Sequence, residues 1–114
     1  YGSLCAPWPL AFVTAAAPNI RHDVASRSPV TEWELCGLFK ERIAKVLTIA
    51  IENGHDSVVL GAWGCGVFGN DPTLVAETFA TALRTRPFFE RVAFAVLDHQ
   101  PGTPTFAAFA RAFR

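Results

Sequence analysis

The run Val58-Val59-Leu60 is apolar without alternation, and it stands between a segment of helical period and a cluster of three glycines, Gly64, Gly66 and Gly69. A strand with one wet face alternates apolar and polar residues, whereas a strand covered by helices on both faces is apolar throughout. Ser57 to Ala62 therefore predicts a central strand of a mainly parallel sheet buried on both sides. The composition permits such a core, being 51% hydrophobic and only 18% charged, which excludes a disordered tail. At 114 residues the chain is one domain or part of one.

Elements on either side follow from local signals. Leu10 to Ala15, with Phe12 and Val13, reads as a first strand closed by Ala17-Pro18-Asn19. Residues 21–29 are polar and irregular. Thr31-Glu32-Trp33-Glu34 has capping-box spacing and predicts a helix start. Leu35, Leu38, Phe39, Ile43, Val46, Leu47 and Ala50 then recur at three- and four-residue steps, and Asn53-Gly54 supplies a left-handed stop. Beyond the glycines, Asp71-Pro72 predicts an N-cap followed by proline at the first helical position, with Val75, Phe79 and Leu83 on one side. Arg91 to Leu97 reads as a third strand with Asp98 at its carboxyl end, and Thr103-Pro104 opens a last helix whose Phe106, Phe109 and Phe113 share a face. The expected order is β-α-β-α-β-α, an α/β arrangement with right-handed crossovers.

Charge and cysteine usage narrow the function classes. Ten basic residues balance ten acidic ones, so the chain has no electrostatic footprint for DNA, RNA or an anionic membrane. An anionic ligand has to be held locally, by backbone amides. Cys5, Cys36 and Cys65 are odd in number and lack Cys-x-x-Cys spacing, which argues against a disulfide framework and a zinc site and for a reducing compartment. His22, His55 and His99 are too widely spaced to suggest a metal site, and no cofactor is expected. No apolar run reaches the roughly 18–20 residues of a membrane span, and the start lacks a signal-peptide pattern, so a cytoplasmic protein is expected. The chain begins at Tyr1 and holds no methionine, as expected of a fragment of a longer protein.

The chemistry concentrates in Gly64-Cys65-Gly66-Val67-Phe68-Gly69, directly after the buried strand and just before a helix. Open α/β sheets present their ligand crevice at such a place. Glycine lets the chain turn sharply at positive φ and bring several amides close to phosphate oxygens, and the following helix N-terminus adds partial positive charge. Gly64, Cys65, Gly66, Val67, Phe68, Gly69 and Asn70 are thus the candidate ligand-binding residues. Phe68 can stack on or wall in a ribose or base, or it can pack into the core. Cys65 lies in no Gly-x-Cys-x-Gly elbow and has no evident histidine partner, which favours a small buried thiol over a nucleophile. Asn19, Trp63 and Asp98 are further candidates for the ligand edge; Asp98 can equally serve as a turn or cap residue. Glu32, Glu34, Glu41, Glu52 and Glu77 fall on helices, where solvation accounts for them.

Three stretches, Thr14 to Asn19, Val59 to Pro72 and Val92 to Asp98, resemble the bacterial-type poly(ADP-ribose) glycohydrolases, a branch of the macrodomain superfamily. Val-Leu-Gly-Ala-Trp-Gly-Cys-Gly-Val-Phe-Gly-Asn-Asp-Pro is the most specific of them. The resemblance implies a three-layer α/β/α sandwich that binds ADP-ribose and hydrolyses the ribose-ribose bond of poly(ADP-ribose). It implies that the loop from Gly64 to Gly69 wraps the diphosphate and that Phe68 orients the ribose. The family's Gly-Gly-Gly run and Gln-Glu-Glu motif lie N-terminal to the region covered; this sequence has no adjacent glycine or glutamate pair and only Gln100. Residues 1–114 are accordingly expected to be the C-terminal part of a single domain, without catalytic residues of its own, inactive alone, and exposing an apolar edge or face where strands are missing. The implied partners are ADP-ribose, poly(ADP-ribose) and ADP-ribosylated proteins.

Two other functions fit parts of the pattern. A non-catalytic reader of ADP-ribose needs the same loop without the glutamates. A dinucleotide-binding oxidoreductase shares Gly-x-Gly-x-x-Gly, but the acidic residue expected about 20 positions on is absent, since Glu90 precedes the next strand and Asp98 comes too late.

Overall fold

A computed structural model describes residues 2–21 and 30–114 of the chain. Its described elements are α1 (Glu32–Glu52), β1 (Ser57–Gly61), α2 (Pro72–Thr85), β2 (Arg91–Ala95) and α3 (Pro104–Ala112). Most of the polar stretch over 21–29, and His22 with it, lies outside the described residues.

Helix α1 starts where the capping box demands. The Glu34 amide donates to the Thr31 hydroxyl at 3.2 Å and the Thr31 amide to the Glu34 carboxylate at 2.9 Å, satisfying two amides that a helix start leaves unpaired. The helix ends at Asn53, and Gly54 follows at φ +78°. Helix α2 opens on Asp71, whose carboxylate accepts the Thr73 amide at 2.9 Å, with Pro72 in the first helical position. Here the sequence signals and the structure coincide, because both ends are decided by neighbouring residues alone.

Strands β1 and β2 pair in parallel, with Ser57 opposite Arg91, Leu60 opposite Phe94 and Gly61 opposite Ala95, and α2 is the crossover between them. Phe39, Ile43 and Leu47 of α1, Val75, Ala76 and Phe79 of α2, and Phe109 of α3 form the core, against which Leu60, Phe94 and Val96 pack. Phe94 sits edge-on to Phe79 at 5.4 Å and tilted to Phe109 at 5.2 Å, so one aromatic residue joins the sheet to two helices. Leu60 and Phe94 point to that core, and alternation turns Val59 to the opposite face.

Two expectations are corrected. Leu10 to Ala15 forms no strand: no ladder partner stands beside it among the described residues, and Phe12 remains 83% exposed. Apolar content records a demand for burial, while a strand also needs a neighbour for its amides. Second, the central strand is not buried on both faces, since Val59 is 74% exposed; among the described residues the helices cover only one side. Helix α3 does open at Thr103-Pro104, but Thr103 stands at the N-cap position without a side-chain cap. It takes a left-handed conformation at φ +44°, and Asp98 does the work instead, accepting the amides of Thr105 at 2.7 Å and Phe106 at 3.2 Å. The shared aromatic face of α3 is also uneven, with Phe109 buried and Phe106 and Phe113 partly open.

Candidate functional site

Residues 62–70 carry the chain from the carboxyl end of β1 to the cap of α2. Gly64 and Gly69 lie at φ +77° and +74°, the left-handed region in which a side chain is strained. Three amide bonds close the loop on itself: Cys65 to the Ala62 carbonyl at 3.1 Å, Gly69 to Gly66 at 3.0 Å and Asn70 to Gly64 at 3.1 Å. Between these anchors, the amides of Gly66, Val67 and Phe68 donate to no protein acceptor among the described residues. Gly66 and Val67 are exposed, Val67 by 78%. Three successive donors in an exposed turn, ahead of a helix N-terminus, suit an anion.

The loop is fixed by Asn70, which is 2% exposed. Its side-chain amide donates to the Pro18 carbonyl at 2.7 Å and the Gly64 carbonyl at 2.9 Å, while its buried Oδ1 finds no partner. Two carbonyl acceptors on one side determine which end of the amide is nitrogen. Gly64 is doubly constrained, because a Cβ there would lie 2.7 Å from Asn70 Nδ2 and 2.8 Å from the Ala17 Cβ. At Gly66 a Cβ meets open space, so the fold does not require that glycine.

The other candidates divide. Trp63 turns away from the edge: its ring packs 6.3 Å from Phe39 and 6.4 Å from Phe79, and its indole nitrogen donates to the Ala15 carbonyl at 3.1 Å. It is a strap between the core and the N-terminal arm that carries Ala15 to Asn19. Phe68 is half-buried yet belongs to neither the core cluster nor any ring pair among the described residues, which removes the core-packing alternative. Burial pushes the Cys65 thiol up to about 11, with the nearby Asp71 charge acting in the same direction, so it is a poor nucleophile near neutral pH. Asn19 flanks the loop beside Pro18, and its Oδ1 accepts the Arg21 amide at 3.2 Å. Asp98 lies past the carboxyl end of β2 but is committed to capping. Hydrogen bonds from the amides of Gln100, Phe106 and Thr105 hold its carboxyl below the usual range.

Arg21 is the neighbour that sequence reasoning missed. A Cβ on Gly69 would lie 3.1 Å from Arg21 Nε and 3.2 Å from its Cγ, so the arginine lies directly over the end of the loop. An arginine in a polar stretch carries no local signal of such a contact. An open apolar groove of about 800 Å³ lined by Leu83, Val92, Phe94, Phe106 and Phe113 involves none of residues 64–70. Among the described residues no group of three or more His, Cys, Asp or Glu gathers as metal ligands, and no helix is long and apolar enough to cross a membrane.

Two helix-flanked parallel strands, with a glycine-rich loop at the carboxyl end of β1, place the chain among α/β proteins. In sequence and fold it is similar to bacterial poly(ADP-ribose) glycohydrolases. The enzyme from Deinococcus radiodurans in complex with ADP-ribose is 44% identical over 96% of this chain and 45% of that one, with a TM-score of 0.86. Another crystal form of that complex is 44% identical over 87% of this chain and 40% of that one, with a TM-score of 0.79. The glycohydrolase from Thermomonospora curvata is 48% identical over 85% of this chain and 36% of that one, with a TM-score of 0.75. The chain thus spans less than half of each of these relatives. No protein-family model matches the chain, and no curated protein sequence does.

Proposed function

We propose that Gly66, Val67 and Phe68 present their amides to the diphosphate of ADP-ribose, and that residues 1–114 are the ADP-ribose-binding, C-terminal part of a poly(ADP-ribose) glycohydrolase-like domain. The single observation that carries this reading is the set of three successive unpaired amides at the carboxyl end of a parallel strand. Diphosphate oxygens are pure acceptors and suit donors fixed in advance of binding. Phe68, free of the core, walls in the adjoining ribose. The ADP-ribose complexes of the Deinococcus radiodurans relatives support the choice of ligand over other diphosphates.

Cleavage of a ribose-ribose O-glycosidic bond needs a carboxylic acid kept protonated by its surroundings. Three carboxylates among the described residues shift the other way: hydrogen bonds from Thr31 lower Glu34, Lys45 lowers Glu41, and backbone amides lower Asp98. The general acid is therefore assigned to sequence outside these residues, in the Gln-Glu-Glu motif of the family, together with the strands that cover Val59 and Leu97. The 114 residues alone bind weakly and do not turn over, and ADP-ribosylated proteins are reached through the polymer they carry.

Calorimetry of the full-length gene product against ADP-ribose, beside an assay of ADP-ribose release from polymer, tests both halves. Binding that is lost in Gly66→Leu at unchanged thermal stability supports the loop. Unchanged affinity in that variant removes it.

A further inference from the structure

We propose that Arg21 is a diphosphate-binding residue that supplies the positive charge this site otherwise lacks. The inference rests on the diphosphate reading of the loop and adds to it a specificity-determining side chain.

A diphosphate brings about two negative charges, and neutral amides alone leave them uncompensated. The charged groups near the loop are few. Asp71, next to Asn70, is an anion whose charge reaches Cys65, and its carboxylate already holds the Thr73 amide. Arg42 of α1 reaches the Ala16 carbonyl at 3.0 Å and is spent in tethering the arm. Arg21 is different, since its side chain pairs with no carboxylate and donates to no protein acceptor among the described residues, although it lies against Gly69. Its backbone is turned there by the bond from its own amide to Asn19 Oδ1, and the preceding Pro18 is bound by Asn70.

The arginine and the amides are therefore carried by two segments tied together at one buried residue. Gly69 acquires a second purpose beyond its positive φ, because any Cβ would press on the Arg21 stem at 3.1–3.2 Å. A guanidinium stays charged at every working pH and matches phosphate oxygens in pairs, which ammonium does not.

The experiment is calorimetry on the full-length gene product with ADP-ribose and with adenosine, at low and high salt, for the unaltered protein and for Arg21→Gln, Arg21→Lys and Gly66→Leu. Arg21→Gln is expected to weaken ADP-ribose about ten- to a hundredfold, the range for a lost charge-assisted hydrogen bond, and to flatten its salt dependence. Adenosine affinity is expected to stay the same, and Arg21→Lys to fall between. If Arg21→Gln binds ADP-ribose as tightly as the unaltered protein while Gly66→Leu does not, Arg21 is excluded and the loop stands. If the unaltered protein does not bind ADP-ribose, the underlying reading and this inference fall together.

Discussion

The Asn70 side-chain amide donates to the Pro18 carbonyl at 2.7 Å across 52 residues of chain, and the same nitrogen holds the Gly64 carbonyl at 2.9 Å. One buried residue thus fixes the arm to the glycine loop. Asn70→Ala leaves two carbonyls without this donor, and Asn70→Asp faces them with another acceptor. Losses of about 1–3 kcal/mol are expected for alanine and more for aspartate, read as a lower denaturant midpoint with the arm cut earlier by protease. An unchanged midpoint would show that the arm is held by other means.

The glycines of the loop separate by role. Gly64→Ala forces a side chain to φ +77° and onto Asn70 and Ala17, at about 1–2 kcal/mol for the backbone alone with the contacts in addition. Gly66→Ala meets open space and is expected to change stability little. Thermal melts of the two variants check the order; equal melting points would contradict it.

Acid should loosen α3 before the rest. The Asp98 carboxyl is depressed below its ordinary 3.8 by the amides it accepts, so the stability it gives is present above that value and is lost as pH falls through the depressed one. The amides of Thr105 and Phe106 should then lose protection against exchange as pH falls through that depressed value in the unaltered protein, and should lack it at neutral pH in Asp98→Ala. Exchange rates at these two amides that ignore both pH and the substitution would remove Asp98 as the cap.

Thiol reactivity should follow exposure. Cys5 is exposed, whereas Cys65 is half-buried with its thiol raised to about 11. At pH 7.5 alkylation is expected to mark Cys5 long before Cys65, and Cys65→Ala to retain ADP-ribose binding. Equal labelling rates in a mass-spectrometric time course would reopen Cys65 as a reactive group.

What the sequence disclosed was set by range. Thr31 with Glu34 and Asp71 with Pro72 are local devices, and they lie where they were expected. Gly64 to Gly69 was legible as a loop because its glycines, its strand and its helix adjoin. Leu10 to Ala15 was misread because pairing depends on a strand that periodicity cannot supply. The bond from the Trp63 indole to the Ala15 carbonyl, 48 residues away, has no local signal in the sequence. Asp98 is legible as a turn or cap residue from its place after β2, and it caps α3, whereas the left-handed backbone of Thr103 has no residue pattern behind it. Arg21 and the buried side of Asn70 were invisible for the same reason, both being contacts across the fold.

The central claim is that three particular nitrogens meet the diphosphate. Amide NMR of the full-length gene product during an ADP-ribose titration reads them one by one. Large shifts and slowed exchange at Gly66, Val67 and Phe68, with smaller changes at the already bonded Cys65 and Gly69, are the expected result; saturation that leaves those three signals unmoved would contradict the account.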